Sequence, residues 1–134
     1  MVSTKGRYAL RVMLDLARQE PGAMVPLEQI ALRQEISKKY LEIILKTLVQ
    51  EGLLKGQRGK GGGYQLTRKP EEYPIGEILE LTEGTLAIVS CVQEGRSCEQ
   101  RESCETYPMW SRFDKMVHDF FYGMTLADLI GPKE

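Results

Sequence analysis

The sequence predicts a mainly α fold: a winged helix-turn-helix with a two-stranded wing and a long C-terminal dimerisation helix. Three observations predict it. Three helix-period segments fill the first fifty residues, and only a short turn separates the second from the third. Two short extended segments then flank Arg58-Gly59-Lys60-Gly61-Gly62-Gly63. A final long segment carries aromatic and apolar residues at helical spacing. The order helix, helix, turn, helix, hairpin is that of a winged helix-turn-helix.

Each element has a local reason. Thr4 is placed to cap a first helix running to about Gln19, in which Ala9, Leu10, Met13, Leu14, Leu16 and Ala17 follow helical spacing. Glu20-Pro21-Gly22 ends it. Pro26 suits the first turn of a second helix, with Leu27, Ile30 and Ala31 on one face and Gln34 near its end. Ser37 caps a third helix whose buried stripe is Leu41, Ile44, Leu45 and Leu48. Gly52 is placed to end it in a left-handed cap. Leu53–Gln57 and Tyr64–Thr67 read as strands, and the glycine run between them reads as a mobile hairpin tip. Lys69–Pro74 reads as a linker, Ile75–Leu81 as a short fourth helix, and Thr85–Val89 as extended. Pro108 starts a long helix to about Tyr122, with a stripe of Met109, Trp110, Phe113, Met116, Val117, Phe120 and Phe121. A last short helix begins at Thr125.

The length of 134 residues fits one domain, or one small domain with an appendage. The net charge of −1 hides an asymmetry. Residues 1–69 hold 13 Lys and Arg against 6 Asp and Glu, a net +7. Residues 70–134 hold 5 against 13, a net −8. The change of sign falls at the linker. It divides the chain into 1–69, expected to bind DNA, and 70–134, expected to sense and dimerise. A basic half joined to an acidic half implies that only the first meets a polyanion. No run approaches the roughly 18 apolar residues of a membrane span. The N-terminus lacks a signal-peptide core, so a cytoplasmic protein without membrane contact is expected. The single histidine, His118, falls off the apolar stripe and reads as an exposed bystander. No acid–base–nucleophile constellation can be assembled, which argues against an enzyme.

A recognition helix meets base edges with its N-terminal residues. In this chain those are Ser37, Lys38, Lys39, Tyr40 and Glu42. Ser and Lys reach phosphate or guanine, and Glu accepts from cytosine N4. Arg58 and Lys60 sit on the thin wing tip, and an Arg there suits the negative potential of a narrow minor groove. Lys5 and Arg7, at the start of the first helix, are further phosphate candidates through charge and the helix N-terminal amides. A solvated surface is the bland alternative for the lysines. A phosphate-binding loop is the rival for the glycines, but the strand–loop–helix context and the Lys-Ser/Thr ending are missing.

Cys91, Cys98 and Cys104 lie within fourteen residues and are the only cysteines. An odd count cannot be fully paired within one chain. Thiolates favour iron–sulfur clusters, zinc and Cu(I) over hard cations. Glu94, Glu99, Glu102 and Glu105 outnumber Arg96 and Arg101 around them. That balance should raise a free thiol's pKa, which argues for bound metal over a bare thiol switch. Zinc and a simple thiol switch stay open on these grounds.

The stretches STKGRYALRVMLDLA, PLEQIALRQEISKKYLEIILKTL and RGKGGGYQL, followed by the Cys triplet and Trp110 six residues after its last member, closely resemble the IscR family of bacterial winged-helix regulators. Relatives in that family include the nitric-oxide sensor NsrR and the cysteine-metabolism regulator CymR. The resemblance covers about residues 2–130. It implies a homodimer held through the Pro108–Tyr122 helix and bound to partly palindromic double-stranded promoter DNA. It implies base contacts at Ser37, Tyr40, Glu42 and Ile43, with Arg58 in the minor groove. It implies an iron–sulfur cluster, of the 2Fe-2S type, on Cys91, Cys98 and Cys104. Cluster-binding members space their cysteines by five residues and place a His three residues after the last. This chain has six residues in the first gap, and the His position is Tyr107. The acidic ligand of the nitric-oxide sensors falls on Arg7 or Tyr8. The remaining candidates for the fourth ligand are Tyr107, Glu105, Glu42 of the partner subunit, or an exogenous group. The expected function is a transcription regulator that reads cluster status and controls cluster-assembly or sulfur-metabolism genes. The rivals are a clusterless regulator acting through a protein partner or thiol redox, and a zinc-stabilised interaction module.

Overall fold

The computed structural model describes residues 2–87 and 104–130. Along the chain run α1 (Thr4–Ala17), α2 (Leu27–Gln34), α3 (Lys38–Gln50), β1 (Leu54–Gln57), β2 (Gly63–Leu66), a 3₁₀ turn (Pro70–Glu72), α4 (Ile75–Glu83), α5 (Tyr107–Tyr122) and α6 (Leu126–Ile130). The winged helix-turn-helix order is present, with α3 as the second helix of the motif and β1–β2 as the wing.

Local chemistry sets most boundaries. The cap of α1 is Ser3 rather than Thr4; its hydroxyl accepts from the Gly6 N–H. Pro26 is the N-cap of α2 and stands just outside the first turn. The Ser37 hydroxyl accepts from the Tyr40 N–H at 3.2 Å, capping α3. Gly52 follows α3 at φ +77°, a conformation that costs a residue with a Cβ roughly 1 kcal/mol or more. The wing is an antiparallel pair in which Leu54 faces Leu66 and Gln57 faces Gly63. Val25, on the α1–α2 loop, exchanges two 2.9 Å backbone bonds with Tyr64, so the wing is tied to the body close to its glycine tip.

One core spans both halves of the chain. Ala9, Val12 and Met13 of α1 and Leu41, Ile44, Leu45 and Leu48 of α3 pack in the same cluster as Tyr73, Ile78, Leu79 and Leu126. Burying each of these large side chains stabilises the fold by roughly 1.5–3 kcal/mol. The Lys69–Pro74 segment is therefore a packed corner and not a linker. Tyr73 is fully buried, and its hydroxyl donates to the Leu53 carbonyl at 2.8 Å while accepting from the N–H groups of Thr67 and Arg68 at 2.8 and 3.0 Å. A linker would leave these groups in water. Ahead of the cysteine segment, the Thr85 hydroxyl accepts from the Ala87 N–H at 3.0 Å, a side-chain turn and not the start of a ladder. Ile88 and Val89, the rest of the expected extended stretch, lie outside the described residues.

Helix α5 differs from the others. None of its residues is buried; it packs chiefly on α4, with Phe121 against the core cluster. Gly76 of α4 permits this contact: a Cβ there would stand 2.3 Å from the Tyr122 ring.

Candidate nucleic-acid interface and cysteine site

The first turns of α3 present Lys38, Lys39, Glu42 and Ile43 as exposed side chains, with Tyr40 half-buried beside them. The cap fixes where they point. Ser37 uses its oxygen as an acceptor for Tyr40, which leaves its hydroxyl proton for an external acceptor. The opposite face of α3 is anchored by Leu41, Ile44, Leu45 and Leu48. The helix therefore projects two cations, one carboxylate and one aliphatic side chain from a rigid base. That set matches phosphate, cytosine and thymine-methyl contacts in a major groove.

The wing tip holds Arg58 and Lys60, both exposed. Its glycines are dictated by contact rather than by mobility alone. A Cβ on Gly62 would lie 2.2 Å from the Gln57 carbonyl oxygen, and one on Gly63 would lie 2.4 Å from the Val25 carbonyl oxygen. Gly59 and Gly61 take φ of +93° and +78°. The run thus builds a thin, folded tip that presents Arg58 with little bulk around it.

At the start of α1, Lys5 is half-buried and Arg7 exposed. The helix N-terminus already has an anion. Glu83 of α4 accepts from the Ser3 N–H at 2.8 Å and from its hydroxyl at 2.6 Å. Gly6 allows this approach, since a Cβ there would meet the Glu83 oxygen at 2.2 Å. Glu83 therefore competes for the terminal amides expected to assist a phosphate, and Lys5 and Arg7 have their own charge to offer.

Of the three cysteines, Cys91 and Cys98 lie outside the described residues. Cys104 stands just ahead of α5. Its sulfur is 3.2 Å from the Thr106 hydroxyl. That hydrogen bond, with further bonds from the Thr106 and Tyr107 backbone, holds the thiol below its ordinary value. The local acidity was expected to do the reverse. Direct hydrogen bonds to the sulfur at the start of α5 set the direction at Cys104. Glu105 is exposed, Tyr107 is half-buried at the first position of α5, and Glu42 sits on α3. Among the described residues no three His, Cys, Asp or Glu side chains are grouped to hold a metal.

His118 is not a bystander. Its Nε2 lies 3.3 Å from a Glu80 oxygen, its Nδ1 lies 2.9 Å from the Asp114 carbonyl, and its ring stacks on Tyr122. Desolvation, seconded by Glu80, pushes the Tyr122 phenol up to about 12. The helical wheel correctly placed His118 off the apolar stripe, but α4 covers that side. Asp15 was also missed. It is buried in α1 and accepts from Arg33 at 2.9 and 2.7 Å and from Gln34 at 2.9 Å, which fastens α2 to α1. An aspartate flanked by Leu14 and Leu16 in an apolar helix was the available signal. Arg68, paired with both oxygens of Glu77 at 2.7 and 2.8 Å, gave no such signal.

No described helix is long and apolar enough to cross a membrane. Residues 2–132 match the family described as Rrf2, iron-dependent transcriptional regulator. The HTH-type transcriptional regulator IscR of Pectobacterium atrosepticum is 35% identical over 133 residues, covering 99% of this chain and 80% of that protein. The structure of CymR, the global cysteine regulator of B. subtilis, is similar with a TM-score of 0.80 at 33% identity, covering 100% of this chain and 98% of that one. The structure of T. potens IscR matches with a TM-score of 0.74 at 34% identity, covering 97% and 85%.

Proposed function

Since the chain belongs to the Rrf2 family of transcriptional regulators, and so is a DNA-binding regulator and not an enzyme, we propose that it is a homodimer that senses iron–sulfur cluster status. In this reading Cys91, Cys98 and Cys104 hold a cluster of the 2Fe-2S type. The fourth ligand is Tyr107, Glu105 or Glu42 of the partner subunit. The regulated genes serve cluster assembly or sulfur supply. Residues 1–69 read promoter DNA, and residues 70–134 sense and dimerise.

The observation that carries the sensing half is the cysteine triplet placed directly ahead of α5, with Cys104 three residues before that helix. Cys104 is half-exposed just ahead of α5, and the Thr106 hydroxyl with the Thr106 and Tyr107 backbone holds its thiol below the ordinary value, which makes it a better thiolate donor than a free cysteine. A cluster ligand and a thiol switch both require such a thiolate, so what supports the cluster reading over the switch is the triplet of Cys91, Cys98 and Cys104 ahead of Trp110, with Cys104 compatible with it as a donor. When bound, a cluster supplies an oxygen- and redox-sensitive bond between the three thiols. Cys104 lies three residues before the start of α5, so any restraint on its sulfur bears on that helix directly.

The observation that carries dimerisation is the face of α5. Met109, Phe113, Met116 and Phe120 are 54%, 44%, 66% and 62% exposed. Four large apolar side chains on one helix, left in water, mark a surface for association. A second copy of the same helix would cover them, and the two recognition helices would then take a fixed separation.

Anaerobic purification with iron and sulfide analysis tests the cofactor. Iron and sulfide in equal amounts, lost together in Cys104→Ser, are expected. Zinc without sulfide would refute the reading. A second reading is a thiol switch on Cys104 itself, favoured by the same lowered pKa. A colourless protein whose DNA affinity responds to mild oxidant, and whose response disappears in Cys104→Ser, would establish that alternative.

A further inference from the structure

Resting on the DNA-reading role proposed above for α3, we propose that Arg11 and Tyr8 of α1 are positioning residues that set the reading geometry of α3, although neither belongs to the helix-turn-helix. The turn between α2 and α3 is where such control is needed. Glu35 ends α2 at φ 53° and ψ 46°, the one left-handed non-glycine residue among those described. A left-handed residue with a side chain persists only where its surroundings hold it. Arg11 supplies a hold. Its Nε donates to the Gln34 side-chain oxygen at 3.2 Å, and an Nη donates to the Gln34 backbone carbonyl, one of the last carbonyls of α2. Gln34 is fixed from its other end, because its amide nitrogen donates to the buried Asp15 at 2.9 Å.

The same guanidinium also reaches the reading helix. Its carbon lies 5.0 Å from the centre of the Tyr8 ring. The Tyr8 ring in turn meets Tyr40 edge to face, with centres 5.8 Å apart. Tyr40 is in the first turn of α3, and its N–H is the one that Ser37 caps. One planar cation thus touches the end of α2 and, through one aromatic ring, the start of α3. Its carbon sits over the Tyr8 ring while its N–H groups donate to Gln34. Lysine has no plane to stack and no fork to bridge two oxygens, so the clamp is specific to arginine. Arg11 is exposed, so its burial contributes little to the core and its role is orientation.

The test begins with wild-type protein enriching a sequence from a randomised pool of duplex DNA. Affinities are then measured for that duplex and for single-base variants of it, across a salt series. Arg11→Lys, Arg11→Met and Tyr8→Leu should each reduce discrimination between the enriched duplex and its variants by about tenfold, the scale of one recognition contact. Tyr8→Phe keeps the ring and should keep the discrimination. The slope of log affinity against log salt should stay at the wild-type value in Arg11→Met. A slope reduced by about one would show that Arg11 neutralises a phosphate directly, which overturns the positioning role. Unchanged discrimination in Arg11→Lys and Tyr8→Leu would also overturn it. Arg11→Lys keeps an exposed cation and carries the test if Arg11→Met melts poorly. Wild-type protein that enriches no sequence would instead defeat the DNA-reading role itself.

Discussion

Tyr73→Phe is the sharpest probe of how the wing is held. The substitution removes one oxygen and leaves the ring in place, so core volume hardly changes. The lost hydroxyl serves three buried or half-buried backbone groups: the Leu53 carbonyl at the entry to β1, and the Thr67 and Arg68 N–H groups just past β2. Each such group left unpaired costs roughly 1–3 kcal/mol when water cannot reach it. The Thr67 hydroxyl, 3.0 Å from the Gly52 carbonyl and 3.4 Å from that of Leu53, can recover part of the carbonyl's loss. The net destabilisation should be about 2–4 kcal/mol. For a chain of this length that is a fall of roughly 6–16 °C in the melting midpoint. Thermal melts by circular dichroism measure it. Both ends of the wing are released together, so DNA affinity should fall by more than the unfolded fraction explains. A midpoint within about 2 °C of wild type would show that the hydroxyl is not the fastening, and the corner would need another explanation.

Other predictions concern the interface, acid stability and the thiol. Arg58→Ala should weaken DNA binding by about 1–3 kcal/mol, mainly at sites with A·T-rich minor grooves, and unchanged affinity by fluorescence anisotropy would remove the wing tip from the interface. The Arg68 guanidinium holds the Glu77 carboxyl below its usual range. A depressed carboxylate contributes stability above its unfolded value that is lost as pH falls through its folded value. The acid limb below about pH 4.5 should therefore be shallower in Glu77→Gln, as urea melts between about pH 5 and 3 would reveal. Thr106→Val removes the leading cause of the lowered Cys104 thiol. With Cys91 and Cys98 replaced by serine, the pH midpoint of iodoacetamide labelling at Cys104 should move upward, and an unmoved midpoint would assign the effect to the helix terminus alone. Tyr107→His should lengthen the cluster's lifetime in air if Tyr107 occupies the fourth-ligand position; an identical lifetime would place that ligand elsewhere.

What could be read from the chain followed the range of the interactions. Helix α3 and the wing were legible because each is dictated within a dozen residues: a serine cap, an apolar stripe at helical spacing, a left-handed glycine, then a glycine tip. Helix α5 was legible for the same reason, although its stripe divides: Met109, Phe113, Met116 and Phe120 are exposed, while Trp110, Val117 and Phe121 are half-buried. The fastenings were not legible. Ser3 meets Glu83 across 80 residues, Tyr73 meets Leu53 across 20, and Arg11 meets Gln34 across 23. Nothing in the flanking sequence of either partner marks such a pair. The change in charge sign near residue 69 suggested a linker, yet charge patterns the surface while Tyr73, Ile78 and Leu79 decide the core. The thiol pKa failed in the same manner. A count of nearby carboxylates is a sequence property, whereas the hydrogen bonds that decide the matter depend on where α5 begins.

The central claim is that cluster status and DNA reading are coupled through the short segment between Cys104 and α5. The direct measurement is the affinity of anaerobically purified protein for its enriched duplex by fluorescence anisotropy, before and after the iron is removed by a chelator. A change in affinity or in sequence preference of at least about fivefold, reversed on anaerobic reconstitution and absent in Cys104→Ser, is the predicted result. Equal affinity and equal preference in the two states would contradict the account.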